Sequence, residues 1–375
     1  MTAETAPLIP VLERRRRALT YLAATTGVAV LLAILSLWQR SSTGEPAFKA
    51  VRMFPGLEAK VDDIATIQIE TKDKAFNVTR DAKGQWHLPD KSDYAADFNT
   101  VRKTILGLAE LDLVEARTNR ADWQAKLGLS LPKSGGTGTL VTLKDSKGET
   151  LASVIAGNTV EGGGAGGKQA LYVRRPSEDQ TYVARGTFQA QVDQAQWLDK
   201  AFFDVVKERI KSVAVKPLKA KPYSITRASA DQVNFTVVDK IPAGRVLRSE
   251  GEANGLGFAI LGMSFDDVVP ATKVDFTNPV VTTYQTFDGL TLTVKTVEKD
   301  RDYWITVEAA ADPSVQPTPV KPGSTQLKPD VPKEASEINK ALTGWAYKIP
   351  RYKGVLMTAP LEDMLRAVGE PQPPR

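Results

Sequence analysis

Ile64, Ile67 and Ile69 recur as Ile210, Val213 and Val215 at a constant offset of 146 positions, and a large apolar residue, Leu57 or Phe203, stands seven places ahead of each set. Phe76-Asn77-Val78-Thr79-Arg80 is echoed by Tyr223-Ser224-Ile225-Thr226-Arg227 at an offset of 147. Both copies alternate apolar and polar side chains, as a half-buried strand does. A third strand is expected around Trp86 and Leu88 in one half and around Phe235 and Val237 in the other. A chain that writes one strand pattern twice is expected to fold it twice. The expected class is therefore α+β: two tandem repeats, residues 53–195 and 196–375, dominated by antiparallel β-sheet.

A helix is expected to follow the third strand in each half. In the first, Asp97 is a suitable N-cap, and Phe98, Val101, Ile105 and Leu108 fall on one helical face. In the second, Leu256, Ile260 and Met263 follow Asn254, the candidate cap. Lys147-Gly148-Glu149-Thr150-Leu151 and Asp288-Gly289-Leu290-Thr291-Leu292 read as matching hairpin turns. A last echo sets Ala170–Val173 with Thr181–Ala184 against Trp345–Lys348 with Val355–Thr358.

Ahead of the repeats, residues 18–38 run for 21 positions without a charge. As a helix they reach about 31 Å, the thickness of a bilayer's hydrocarbon core. Tyr21 and Trp38 suit the two interfaces, and Arg14, Arg15, Arg16 and Arg17 stand immediately before the span. Basic flanks stay in the cytoplasm. The reading is a cytoplasmic tail over 1–17, a transmembrane helix over 18–38, a linker over 39–52 and an extracytoplasmic remainder, which makes the chain a single-pass membrane protein with lipid as its first partner. A cleaved signal peptide is the rival, but Leu37-Trp38-Gln39-Arg40 offers no small-x-small cleavage site.

Charge argues against a nucleic-acid partner. The formal net charge is +5, of which the first 40 residues hold five Arg against Glu4 and Glu13, leaving 44 basic and 42 acidic residues for the body. So even a balance gives no field that tracks phosphates. There is no cysteine, which removes disulfides, thiolate metal sites and cysteine nucleophiles, and His87 is the one histidine.

Gly162, Gly167 and Lys168 match the start of the phosphate-cradling pattern G-x-x-x-x-G-K. Such a loop must open a helix whose amides hold the phosphates, whereas Leu171-Tyr172-Val173 is β-like and Gln169 replaces the Mg²⁺-binding Ser or Thr. No nucleotide and no other cofactor is expected. The segment is read as a loop between two strands whose counterpart is the proline-rich stretch 312–336.

Other chemistry is as sparse. A Ser-His-Asp hydrolase would need His87, expected on the solvent side of its strand, and Ser264, expected late in a helix and lacking the second glycine of a nucleophile elbow. Asp62-Asp63 and Asp266-Asp267 are adjacent acids, better read as solvated element ends than as a glycosidase pair. Asp122–Leu129 reads as a short helix closed by Gly128, with Trp123 pinning it to the sheet. No catalytic, cofactor or metal residue is assigned.

Met53-Phe54-Pro55-Gly56-Leu57, the Ile64, Ile67, Ile69 spacing, Gly84-Gln85-Trp86-His87-Leu88, Tyr94 with Asp97, Leu127-Gly128-Leu129 and the Gln196–Val205 segment come in an order that resembles bacterial membrane-anchored proteins of the domain of unknown function 4340 family. The resemblance implies a place in the bacterial inner membrane and an extracytoplasmic companion of an ABC-2-type, gliding-motility-like transporter. It implies a polytopic transporter subunit or another extracytoplasmic membrane protein as partner, in an accessory or assembly role. The competing expectation is an extracytoplasmic ligand-binding or carbohydrate-active protein that uses a cleft between the repeats.

Overall fold

The computed structural model describes residues 26–32, 34, 48–160, 169–200, 202–315 and 330–370. In chain order, the first half forms β1 (Val51–Arg52), β2 (Ile64–Glu70), β3 (Ala75–Arg80), β4 (Trp86–Leu88), β5 (Tyr94–Ala95), β6 (Asp112–Ala116), β7 (Thr139–Asp145), β8 (Thr150–Thr159), β9 (Gln169–Arg174) and β10 (Thr181–Gly186). The second half forms β11 (Ile210–Lys216), β12 (Tyr223–Thr226), β13 (Thr236–Val237), β14 (Arg245–Leu247), β15 (Asp267–Pro270), β16 (Val280–Thr286), β17 (Leu290–Lys299), β18 (Asp302–Ala311), β19 (Trp345–Ile349) and β20 (Leu365–Ala367). With the helices Phe98–Ala109, Ala121–Lys126, Asn254–Gly257, Val331–Leu342 and Arg351–Thr358, the fold is α+β and dominated by antiparallel sheet.

The first sheet runs β1-β6-β10-β9-β8-β7-β2-β3-β4-β5 and the second β13-β12-β11-β16-β17-β18-β19-β15, while β14 pairs only with β20. Read from β4 to β6, the first order is β4-β3-β2-β7-β8-β9-β10-β6. Element for element this is the order of the second sheet, with β1 and β5 added at the edges. The match extends to an irregularity: β2 slips register against β7 between Ile64 and Thr66, and β11 slips against β16 between Ile210 and Ser212. A bulge inserts one residue and resets the alternation. That is why the buried positions run 64, 67, 69 and 210, 213, 215 rather than in steps of two. The expected hairpin turns also form, with Gly148 (φ 84°) and Gly289 (φ 92°) in the left-handed region that favours glycine.

One apolar core extends through both sheets, from Met53 to Leu365. The helix Val331–Leu342 lies along β18, and Arg351–Thr358 crosses β16 to β18. On the opposite face of the first sheet, a separate small cluster joins Leu129 to Leu140 and Ile155, flanked by Leu127, Leu131 and Tyr172.

Several sequence expectations are corrected. Asp97 caps its helix by accepting from Thr100 N at 2.6 Å, and Val101, Ile105 and Leu108 are buried. Phe98, however, is 63% exposed, because the first turn faces the 196–198 segment rather than the sheet. Asn254 does not cap its own helix: it accepts from Phe235 N and donates to Asn234 Oδ1, tying the β13 approach to the helix. Gly128 does end the Ala121–Lys126 helix at φ 71°, with Leu129 N donating to Gln124 O at 2.8 Å. Trp123 is 45% exposed beneath Lys126 Nζ, and buried Leu129 does the pinning instead.

The later echoes fall in a different register from the expected one. The glycine-rich residues 161–168 lie outside the described residues, and their flanks β8 and β9 are antiparallel neighbours. Their counterpart is the tight Asp300-Arg301 turn between β17 and β18, not 312–336. The proline-rich stretch instead lies between β18 and β19, its residues 316–329 outside the described set and its end inside the Val331–Leu342 helix. By strand order Trp345–Lys348 matches Thr181–Ala184, and Val355–Thr358 is helical. Of the proposed span 18–38, only 26–32 and 34 are described, and they are helical and exposed; Arg14, Arg15, Arg16, Arg17, Tyr21 and Trp38 lie outside the described residues. Among the described residues no helix is long and apolar enough to cross a membrane.

Candidate functional site at the junction of the two sheets

The place where a two-repeat protein would hold a substrate is the seam between its sheets. Here β5 brings Tyr94 to the edge of the first sheet, and β15 and β19 form the facing edge of the second. The connecting segment is stitched to the first sheet: Asp97 N donates to Trp197 O at 2.7 Å, Asp199 N to Ala95 O at 2.9 Å, and Ala96 bridges Leu198.

Aromatic side chains fill the seam. The Tyr94 ring meets Trp345 at 4.9 Å and Phe265 at 6.0 Å, both edge to face. Phe202 meets Tyr347 at 4.7 Å, and Phe265 meets Tyr347 at 5.0 Å. Such offset and T-shaped contacts add to the burial of large apolar area. Beside them Lys91 Nζ lies 2.6 Å from Asp267 Oδ1, an ion pair across the seam. Burial pushes the Tyr94 hydroxyl up to about 12, so it stays protonated and donates to Asp199 O.

Of the candidate catalytic residues, Asp267 reaches this seam, where it is engaged in its ion pair. Asp267 is held by Lys91 and by Val268 N, while Asp266 is exposed. Asp62 and Asp63 are exposed at the end of the Leu57–Asp63 turn, where the Asp62 carbonyl accepts from Arg80 Nη2. His87 is half-buried, with Nδ1 at 3.0 Å from Asp93 O and Nε2 at 3.3 Å from Asp81 Oδ2. Backbone donation from Gln85 is the main cause holding the Asp81 carboxyl below its usual range. Ser264 is exposed in an irregular segment beyond the Asn254–Gly257 helix, not late within a helix. Among the described residues no group of three or more His, Cys, Asp or Glu is placed to hold a metal ion.

A 690 Å³ groove runs along the outside of the Phe98–Ala109 helix, lined by Asn99, Arg102, Lys103, Thr187, Gln189 and Gln196 among others. Its amides and cations can make hydrogen bonds to a partner surface, and Glu110 is its one carboxylate. The feature that no local sequence pattern discloses is the aromatic seam itself. Tyr94 was visible only as part of a helix start, and no local pattern linked Lys91 to Asp267 across 176 positions.

The fold is a helix-bearing pair of antiparallel sheets whose seam is filled by aromatic side chains. The family described as "Domain of unknown function (DUF4340)" matches residues 86–279, just over half of the chain, and the chain belongs to that family. The matched region begins at β4 and stops just before β16, so it straddles the seam and contains Lys91, Tyr94, Phe202, Phe265 and Asp267. Neither a curated protein nor a solved structure gives a match.

Proposed function

We propose that the chain is a non-catalytic assembly protein of a bacterial envelope transport complex. In this reading it is anchored by a single membrane helix over 18–38, with Arg14–Arg17 inside and two copies of one duplicated unit outside, where they hold a polytopic ABC-type subunit or another extracytoplasmic protein. The observation that carries the reading is the seam: Tyr94, Phe202, Phe265, Trp345 and Tyr347 pack it, and Lys91 neutralises its acid. Two sheets locked in this way make a rigid platform, which suits an element that sets the spacing between other proteins. A substrate cleft between the repeats would need the volume these rings occupy.

Purification from membranes in mild detergent, followed by mass spectrometry, tests the proposal. Co-purification of a polytopic transporter subunit is expected; its absence across several growth conditions counts against the role. A C-terminal reporter that works only in the cytoplasm should be silent, and an active one overturns the topology.

A further inference from the structure

Away from the seam, a 670 Å³ pocket opens at the far end of the second sheet, where β16 begins, β17 ends and the segments 217–220 and 358–362 converge. This volume suits a small organic molecule. Its floor carries an anomaly. Thr296 is 1% exposed, and its hydroxyl has no hydrogen-bond partner among the described residues. Burying an unpaired hydroxyl costs stability, and the fold does not require one here. Thr296 pairs with Val280, the first residue of β16, just as Ala156 pairs with Thr139, the first residue of β7. The equivalent place in the first sheet is therefore a buried alanine that packs in the core.

The rest of the lining states what the hydroxyl could meet. Asp275, Glu298 and Glu362 line the pocket against a single base, Lys219, a formal excess of two negative charges. Glu298, two residues along β17 from Thr296, has only long contacts among the described residues, with Tyr303 OH at 3.4 Å and Arg351 Nη1 at 3.5 Å, so its carboxylate has room for a closer donor. Asp275 is already held by the backbone and hydroxyl of Thr277. Leu218, 59% exposed, and Val280 and Pro360 supply an apolar wall.

We propose that this pocket binds a small organic cation, an apolar body with a protonated amine that reaches Glu298 and an N–H or O–H group that, once the side chains covering it part, donates to Thr296 Oγ1. The inference needs neither the anchor nor a partner protein, so it stands or falls separately from the assembly role.

Equilibrium dialysis of the full chain in detergent, against a detergent-only blank, tests it with tryptamine as probe. Saturable binding is expected, with indole-3-acetate, which carries the same body and an anion, at least about tenfold weaker. Glu298→Gln should weaken tryptamine about tenfold. Thr296→Val should weaken it several-fold while holding or raising Tm, and should leave 1-methyltryptamine, which lacks the ring N–H, unchanged. Thr296→Ala, the residue of the first sheet, serves in the same way if the valine variant folds poorly. No saturable tryptamine binding, equal binding of indole-3-acetate, or affinities that Glu298→Gln and the Thr296 variants leave untouched would each overturn the proposal.

Discussion

Arg209, immediately before β11, grips Glu334, 125 residues further along the chain, through two parallel hydrogen bonds of 2.9 and 2.8 Å. Its Nε also donates to Asp288 at 2.9 Å, and all three side chains are buried. The guanidinium thus fastens the Val331–Leu342 helix to the sheet and to the β16–β17 turn. Removing Glu334 leaves the buried guanidinium with Asp288 alone, and an under-compensated buried charge is costly. Glu334→Ala should cost about 3–5 kcal/mol in denaturant unfolding. Amides of that helix should exchange faster than those of β2 and β3, and an unfolding midpoint within error of wild type would refute the assigned role.

At the seam, Tyr94 touches Trp345, Phe265 and Tyr347. Tyr94→Ala should cost about 3–5 kcal/mol, the range for deleting a large buried ring. Calorimetry should then show the two sheets melting in separate transitions. Lys91→Ala, by contrast, should cost under about 1 kcal/mol, because both members of its ion pair are partly exposed.

Gly354 faces the Tyr303 ring so closely that an added Cβ would fall far inside contact distance of Tyr303 Cγ. The helix Arg351–Thr358 can lie on β18 only because that position has no side chain. Gly354→Ala should therefore destabilise by about 1–3 kcal/mol, even though alanine favours helix elsewhere. A chain as stable as wild type would show that the helix shifts freely.

Alkaline stability follows from buried phenols. Burial raises the hydroxyls of Tyr94, to about 12, and of Tyr223, Tyr284 and Tyr347 above the ordinary value. Above about pH 10 the unfolded chain loses these protons while the fold keeps them. The native state then binds more protons, and stability must fall as pH rises through that range. Absorbance at 295 nm should show these four ionising only together with unfolding; their smooth titration in a folded protein would contradict their burial.

Much of the fold was legible because the two halves carry the same periodicity and strand order. The bulged spacing of Ile64, Ile67 and Ile69, the Asp97 cap and the turn glycines Gly148 and Gly289 are local signals with local causes. The register failed where the second half acquires the Val331–Leu342 helix between β18 and β19, which ends any constant offset. Periodicity also reports that a face is apolar without saying what covers it, so Phe98 and Trp123 were assigned to packing they do not join. The Lys91 and Asp267 pair, the Arg209 clamp and the Thr296 pocket each join residues far apart in the chain. Neighbours of that kind arise only once the sheets are assembled.

The paired bulges at Ile64 and Ile210 give both sheets a kink at the same strand of the same order. A binding protein that senses only the bend of a backbone would thus meet two quasi-equivalent targets on one molecule. Whatever discriminates between them must do so through side chains, of which the swap of Ala156 for Thr296 is one.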